Sequence, residues 1–240
     1  SKLSSLASTL LFSVAMSHEL TIAWLSDRYD LLAGLFIILS FLFYILSVNQ
    51  GKREYRFYSF ILFIFAILSK EPAFAGALIP IVYYQIFIKD KSKFKNGIYD
   101  TIALTAIIGL VLVYRFLVVG GTPFSSSVYK QFDIAEIVRN FFLYVPVSFV
   151  SPDFLLKAGY GFLHFNPIIL ALVFAGIGLL VYMSLLFRKM DRGDKLTAVF
   201  GFAWYKVFIL PTLPSFMRWY TFMPSIGLMI VIAVLLDFEL

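Results

Sequence analysis

Residues 31–48 form a run without a single charged side chain, and the chain returns to nearly uncharged runs at 57–68, 73–88, 98–119, 167–187, 196–213 and 221–236. About 20 apolar residues in a helix cross the roughly 30 Å hydrocarbon layer of a membrane. A helix also satisfies its own backbone N–H and C=O groups, which lipid cannot do. A transmembrane barrel needs strands of about ten residues that alternate in polarity, and these runs do not alternate. Hydrophobic residues make up 61% of the chain and the mean hydropathy is +0.90, against roughly 45–50% apolar usage in a soluble domain. The sequence therefore predicts an all-α fold, a polytopic transmembrane helical bundle, as a single transmembrane domain over residues 1–240. It contains no cysteine, so disulfides and thiolate metal sites do not arise.

The basic residues set the expected orientation. Eleven of the twenty Lys and Arg lie in three short loops: Lys52, Arg53 and Arg56; Lys89, Lys91, Lys93 and Lys95; Arg188, Lys189, Arg192 and Lys195. The net charge of +6 is then explained by the positive-inside rule, and no nucleic-acid partner is expected. With these loops cytoplasmic, the apolar runs on either side of Ser69-Lys70-Glu71-Pro72 must form a hairpin whose tip lies on the opposite, outer side. Proline disfavours helix in the residue before it and suits the first turn of a new helix, which predicts a break at Glu71. One long kinked helix is the competing reading. Counting residues 3–16 as a short or truncated span, the chain makes about eight crossings. Residues 120–165 form an outer-side loop that opens on G-G-T-P-F-S-S-S, a Gly, Pro and Ser signal. Within it, 133–150 reads as an interfacial or re-entrant helix, because a full crossing would turn the loop 188–195 outward. Residues upstream of Ser1 are expected.

The outer side collects the charges that need explaining. The polar island 17–30 holds His18, Glu19, Asp27, Arg28 and Asp30; Lys70, Glu71, Asp153, His164 and Arg218 join it, with Arg115 near the outer end of its span and Trp24, Tyr29, Trp219 and Tyr220 close in sequence. Ionisable groups placed between membrane spans are costly and so mark candidate sites. Asp27 and Asp30, spaced i and i+3, share a face if helical, with Arg28 beside them. Such a group is a candidate general base, a ligand set for a divalent cation through oxygen, or a holder of sugar hydroxyls. An acid ahead of an apolar helix is equally accounted for by capping and the macrodipole. His18 and Glu19 are adjacent and make a weak metal pair. Lys70 and Arg218 suit phosphate, or headgroups reached by snorkelling. Lys206 falls within an apolar run, where an unpaired ammonium is costly. No phosphate-binding glycine loop, zinc motif or nucleophile elbow occurs. The 28 Phe and 14 Tyr fit lipid-facing packing and interfacial belts. A substrate that is half lipid and half anionic or sugar-like suits this arrangement.

Three separated stretches resemble the GT-C glycosyltransferases that use polyprenyl-phosphate sugars, in particular the protein O-mannosyltransferase-like and tetratricopeptide-bearing transmembrane members. A-W-L-S-D-R-Y-D-L-L-A-G-L-F at 23–36 resembles the family's A-W-x-S-G-R-x-D-L-L-A-x-L-F, with Asp27 in place of glycine. L-S-K-E-P at 68–72 and R-W-Y-T-F-M-P-S-I-G at 218–227 resemble its L-[ST]-K-[EG]-x hairpin and its R-Y-L-x-x-P-S-x-G. Of the family's H-P-x-H-T-E only His18 matches, and Glu19 is displaced by one position. The resemblance implies inverting transfer of a sugar such as mannose from the lipid-phosphate donor to a protein or glycan acceptor, on the outer or lumenal side of a bacterial or archaeal plasma membrane or the endoplasmic reticulum. The residue chemistry makes Asp27, Asp30, His18 and Glu19 the candidate catalytic groups; the resemblance places the main base in an outer loop upstream of Ser1, leaves the fragment alone inactive, and has Arg28 and Asp30 shape the sugar pocket or brace the loop. It assigns substrate contact to Arg28, Lys70, Glu71, Arg218 and Tyr220. A divalent cation is possible on this reading, and membrane lipids are partners.

Two other classes compete. A transporter or flippase for a lipid-linked or amphipathic anion would use the same charges as a vestibule, although transporters often carry internal repeats and Gly-interrupted spans; no convincing repeat occurs and Gly numbers 14. A non-catalytic structural subunit would leave the charged turns as loops.

Overall fold

The computed structural model describes residues 2–13, 28–119, 182–213 and 218–239, with single positions at 134, 137, 138, 140, 141, 144 and 178. Among the described residues every regular element is helical: α1 (Lys2–Ser13), α2 (Arg28–Gln50), α3 (Arg53–Ser69), α4 (Ile79–Phe87), α5 (Phe94–Val119), α6 (Arg192–Ile209) and α7 (Phe222–Glu239), with short 3-10 helices between them and a further helical stretch at 182–189. The all-α expectation holds for these residues.

Local chemistry explains where the helices stop. α2 ends at Gly51, whose φ of 68° is left-handed and whose N–H bonds Ser47 O at 2.9 Å; glycine takes that conformation without a Cβ penalty. α3 ends at Ser69 because Lys70 is extended (φ −156°, ψ 139°) and Pro72 enters the first turn of the 3-10 helix Glu71–Leu78. The break therefore falls within S-K-E-P at Lys70, one residue before the expected Glu71, which instead opens the 3-10 helix.

Packing is dense along the middle of the bundle. α2 lies against α3, α6 against α7, α1 against α7, and α4 against α5 and α6. Ser40 Oγ donates to Ser59 O at 2.8 Å across the buried α2–α3 contact, the kind of small polar contact that joins helices in lipid. Phe41 stacks on Phe200 at 5.1 Å, and Trp204, 2% exposed, donates its Nε1–H to Met223 O at 3.0 Å. Gly201 and Gly227 let α6 and α7 touch backbone to backbone: a Cβ on Gly201 would lie 2.6 Å from Gly227 O, and one on Gly227 would collide with Gly201 O.

The helix ends sort by charge. Lys52, Arg53, Arg56 and Lys93 line one cavity, and Lys89, Lys91 and Arg192 line its neighbour. All three basic loops of the sequence thus contribute to one end of the bundle, as expected of a hairpin at 69–72. Two described segments, Arg28–Gln50 and Lys91–Val118, are long and apolar enough to cross a membrane; the apolar helical segment Phe222–Asp237 is shorter. The most apolar stretch of the first is 33% buried, and that of the second only 6%. On α5, Ile102, Leu110, Val113 and Leu117 are each more than half exposed. A core helix of a soluble protein hides such residues; this one presents them outward.

Candidate functional site

The end opposite the basic loops is built from the start of α2, the turn after α3 and the last turns of α5. Asp30 sits in the first turn of α2, where the positive end of the helix dipole favours an acid. Burial leaves its side chain 4% exposed, and Lys70 Nζ lies 2.9 Å from its Oδ2 while remaining 19% exposed itself. Lys70 reaches Asp30 because its extended backbone ends α3 and carries the chain over the start of α2. One residue on, Glu71 Oε1 accepts from Arg115 Nη1 at 2.6 Å, each side chain being 42% exposed. Partial burial works to raise the Glu71 carboxyl, but the Arg115 hydrogen bond and charge, a backbone hydrogen bond and the charge of Lys70 together hold it below the usual glutamate range. Two acids and two bases share this end, drawn from the start of α2, the turn after α3 and the last turns of α5.

Beside them, the end of α6 is tied down. The 3-10 helix Leu210–Thr212 touches the 3-10 helix Glu71–Leu78. Asn140 Nδ2 donates to Leu213 O at 2.8 Å and Tyr144 Oη to Thr212 O at 3.3 Å, with both side chains buried. Tyr220, half-buried, packs against the buried cluster that contains Tyr144, Tyr205 and Leu213. The described positions 134, 137, 138, 140, 141 and 144 are helical, in the region read from sequence as an interfacial helix; the remainder of 120–165 lies outside the described residues.

Of the sequence-derived candidates, the structure joins Asp30 to Lys70 and sets Glu71 next to them. Arg28 is exposed at the first position of α2, and Tyr220 lies in the 3-10 helix Arg218–Thr221 with the backbone of Arg218. His18, Glu19, Asp27, Asp153, His164 and the Arg218 side chain lie outside the described residues. Among the described residues no group of three His, Cys, Asp or Glu is placed to hold a metal ion. At Asp30 the nearest cation is an ammonium, whose position a divalent ion would have to share. Lys206, within an apolar run in the sequence, proves to be in the last turn of α6 and exposed. There it favours the carbonyl end of the helix and can snorkel.

Sequence reasoning placed Arg115 near this end without giving it a partner, and it missed a second buried cluster. Tyr44 Oη donates to Asp100 Oδ2 at 2.9 Å, and Arg56 Nη1 lies 3.6 Å from Asp100 Oδ1. Asp100 is 5% exposed. The signal was legible, since Asp100 is the one acid in the apolar run 98–119 and an acid in such a run calls for a partner.

No protein-family model, no curated protein and no solved structure matches the chain.

Proposed function

We propose that the chain is part of a membrane glycosyltransferase of GT-C type, a bundle of about eight crossings that takes a sugar from a polyprenyl-phosphate donor. The observation that carries the reading is the pairing of Lys70 with buried Asp30 at the end of the bundle opposite the basic loops. An ammonium has three donors. Asp30 engages one side of it, and the side chain stays 19% exposed, within reach of a lipid-linked phosphate in this reading. Asp30 then serves as a positioning residue that holds Lys70, and Glu71 with Arg115 braces the turn.

In the reaction an acceptor hydroxyl attacks the anomeric carbon, its proton passes to a carboxylate base, and the bond from that carbon to the phosphate oxygen breaks. The leaving phosphate gains negative charge. Fixed cations aimed at a developing anion stabilise the transition state, and Lys70 and Arg218 supply them in this scheme. The exposed apolar face of α5 supports placing the chain in lipid, where the polyprenyl tail resides.

The test is sugar transfer by the full-length protein from a polyprenyl-phosphate-linked mannose, with Lys70→Gln and Arg218→Ala as variants. Each variant is expected to lower kcat by about 100-fold, in line with the loss of one oxyanion donor. Full activity in both variants, or no transfer while the lipid-linked sugar is moved across the membrane, overturns the assignment.

A further inference from the structure

The basic end of the bundle holds more than a set of orientation signals. Lys52, Arg53, Arg56 and Lys93 line a single cavity of about 490 Å³, with Val48, Tyr84 and Ile88 among the apolar groups of its wall. These four cations come from two loops and converge on one concavity.

Their charge is poorly balanced. Asp100 answers Arg56 at 3.6 Å and is shared with the Tyr44 hydroxyl. Asp90 is engaged by Ser92, whose N–H and Oγ lie 2.9 and 2.6 Å from its Oδ1, and it feels the charge of Lys93 without an ion pair. Among the described residues no carboxylate lies within ion-pair distance of Lys52, Arg53 or Lys93. α3 starts beside the cavity with Lys52 as its N-cap, no side-chain capping bond and Glu54 as the acid of its first turn, so the positive end of the helix dipole adds to the field there. A mostly polar lining that carries four cations fits a ligand with a phosphate group.

We infer that this cavity is a phosphate-binding site, separate from the Asp30–Lys70 end and independent of the sugar-transfer reading. The shared chemistry is an anionic phosphate, which an acidic phospholipid headgroup or a soluble phosphate compound can each supply. Arg53, with its planar fork, and Lys52 and Lys93, as point charges, contact the oxygens.

The experiment uses the full chain in nanodiscs of phosphatidylcholine doped with phosphatidylglycerol, with bound phosphatidylglycerol read by native mass spectrometry. A parallel titration in detergent uses inorganic pyrophosphate, followed by thermal shift. Lys52→Gln, Arg53→Gln and Lys93→Gln are combined in one variant; all three side chains are exposed, so folding is retained. The control variant removes three charges outside the cavity, at Arg188, Lys189 and Lys195. Losing three side chains that contact the phosphate oxygens should weaken binding at least about tenfold in the triple variant, while the control, whose charges lie outside the cavity, binds as before. Loss confined to phosphatidylglycerol identifies a lipid headgroup, and loss confined to pyrophosphate identifies a soluble phosphate. Equal loss in the control, or binding by neither probe, overturns the site.

Discussion

Asp30 is 3% exposed, and its carboxylate is met by an ammonium that keeps some contact with water. Removing one partner of a buried pair strands the other charge at a cost of about 3–5 kcal/mol, whereas replacing both with apolar groups is often neutral. Lys70→Met is accordingly expected to lower stability by about 3 kcal/mol, and adding Asp30→Leu should restore most of it. Unfolding of the purified protein in detergent reads both. If Lys70→Met costs under about 0.5 kcal/mol, as an exposed pair would, the carboxylate is being solvated and Lys70 is not held by it. Glu71 and Arg115 differ in degree: both are 42% exposed, and a pair so open to water contributes up to about 1 kcal/mol.

At the scale of the elements, α6 and α7 are joined by an aromatic seam and a glycine contact. Trp204 and Phe208 stand 4.8 Å apart on α6, and the Trp204 indole reaches the α7 backbone at Met223 O. Gly201 and Gly227 set the distance at which that bond forms. A methyl group on Gly227 meets Gly201 O, Tyr205 N and Trp204 Cβ, two of them backbone atoms that no rotamer change can move. Gly227→Ala should therefore destabilise by about 1–3 kcal/mol, the usual range for overpacking, and blue- or red-shift the fluorescence of the displaced Trp204. Unchanged stability and emission would mean that the two helices sit further apart than described.

For the whole molecule, the segregation of charge makes a prediction about sidedness. The basic loops share one end, and the Asp30–Lys70 pair lies at the other. Because the native chain has no cysteine, a single introduced thiol reports its own location. Asn49→Cys and Ser92→Cys should react with an impermeant maleimide from the same face of sealed vesicles, and Val118→Cys from the opposite face. Asn49 and Ser92 labelling from opposite faces would break the hairpin topology. Labelling of all three from one face would show that α5 does not cross.

The helical class, the clustering of Lys and Arg into three loops and a break within Ser69-Lys70-Glu71-Pro72 were legible in the sequence, because each is set by local chemistry: backbone satisfaction in apolar runs, charge between them, and a proline three residues past the end of α3. The hairpin followed from charge alone. Which acid meets which base did not. Lys70 adjoins Glu71 in sequence yet pairs with Asp30, forty positions earlier, while Glu71 pairs with Arg115 and Asp100 with Tyr44 and Arg56. Those choices depend on how far each helix is rotated about its axis, and that rotation is set by packing, where buried Ala33 and Ala73 and the small residues of α6 and α7 allow close approach. The gathering of Lys52, Arg53 and Lys93 around one cavity has the same origin: their positions along the chain are local facts, but the shared concavity exists only once α2, α3, α4 and α5 are packed.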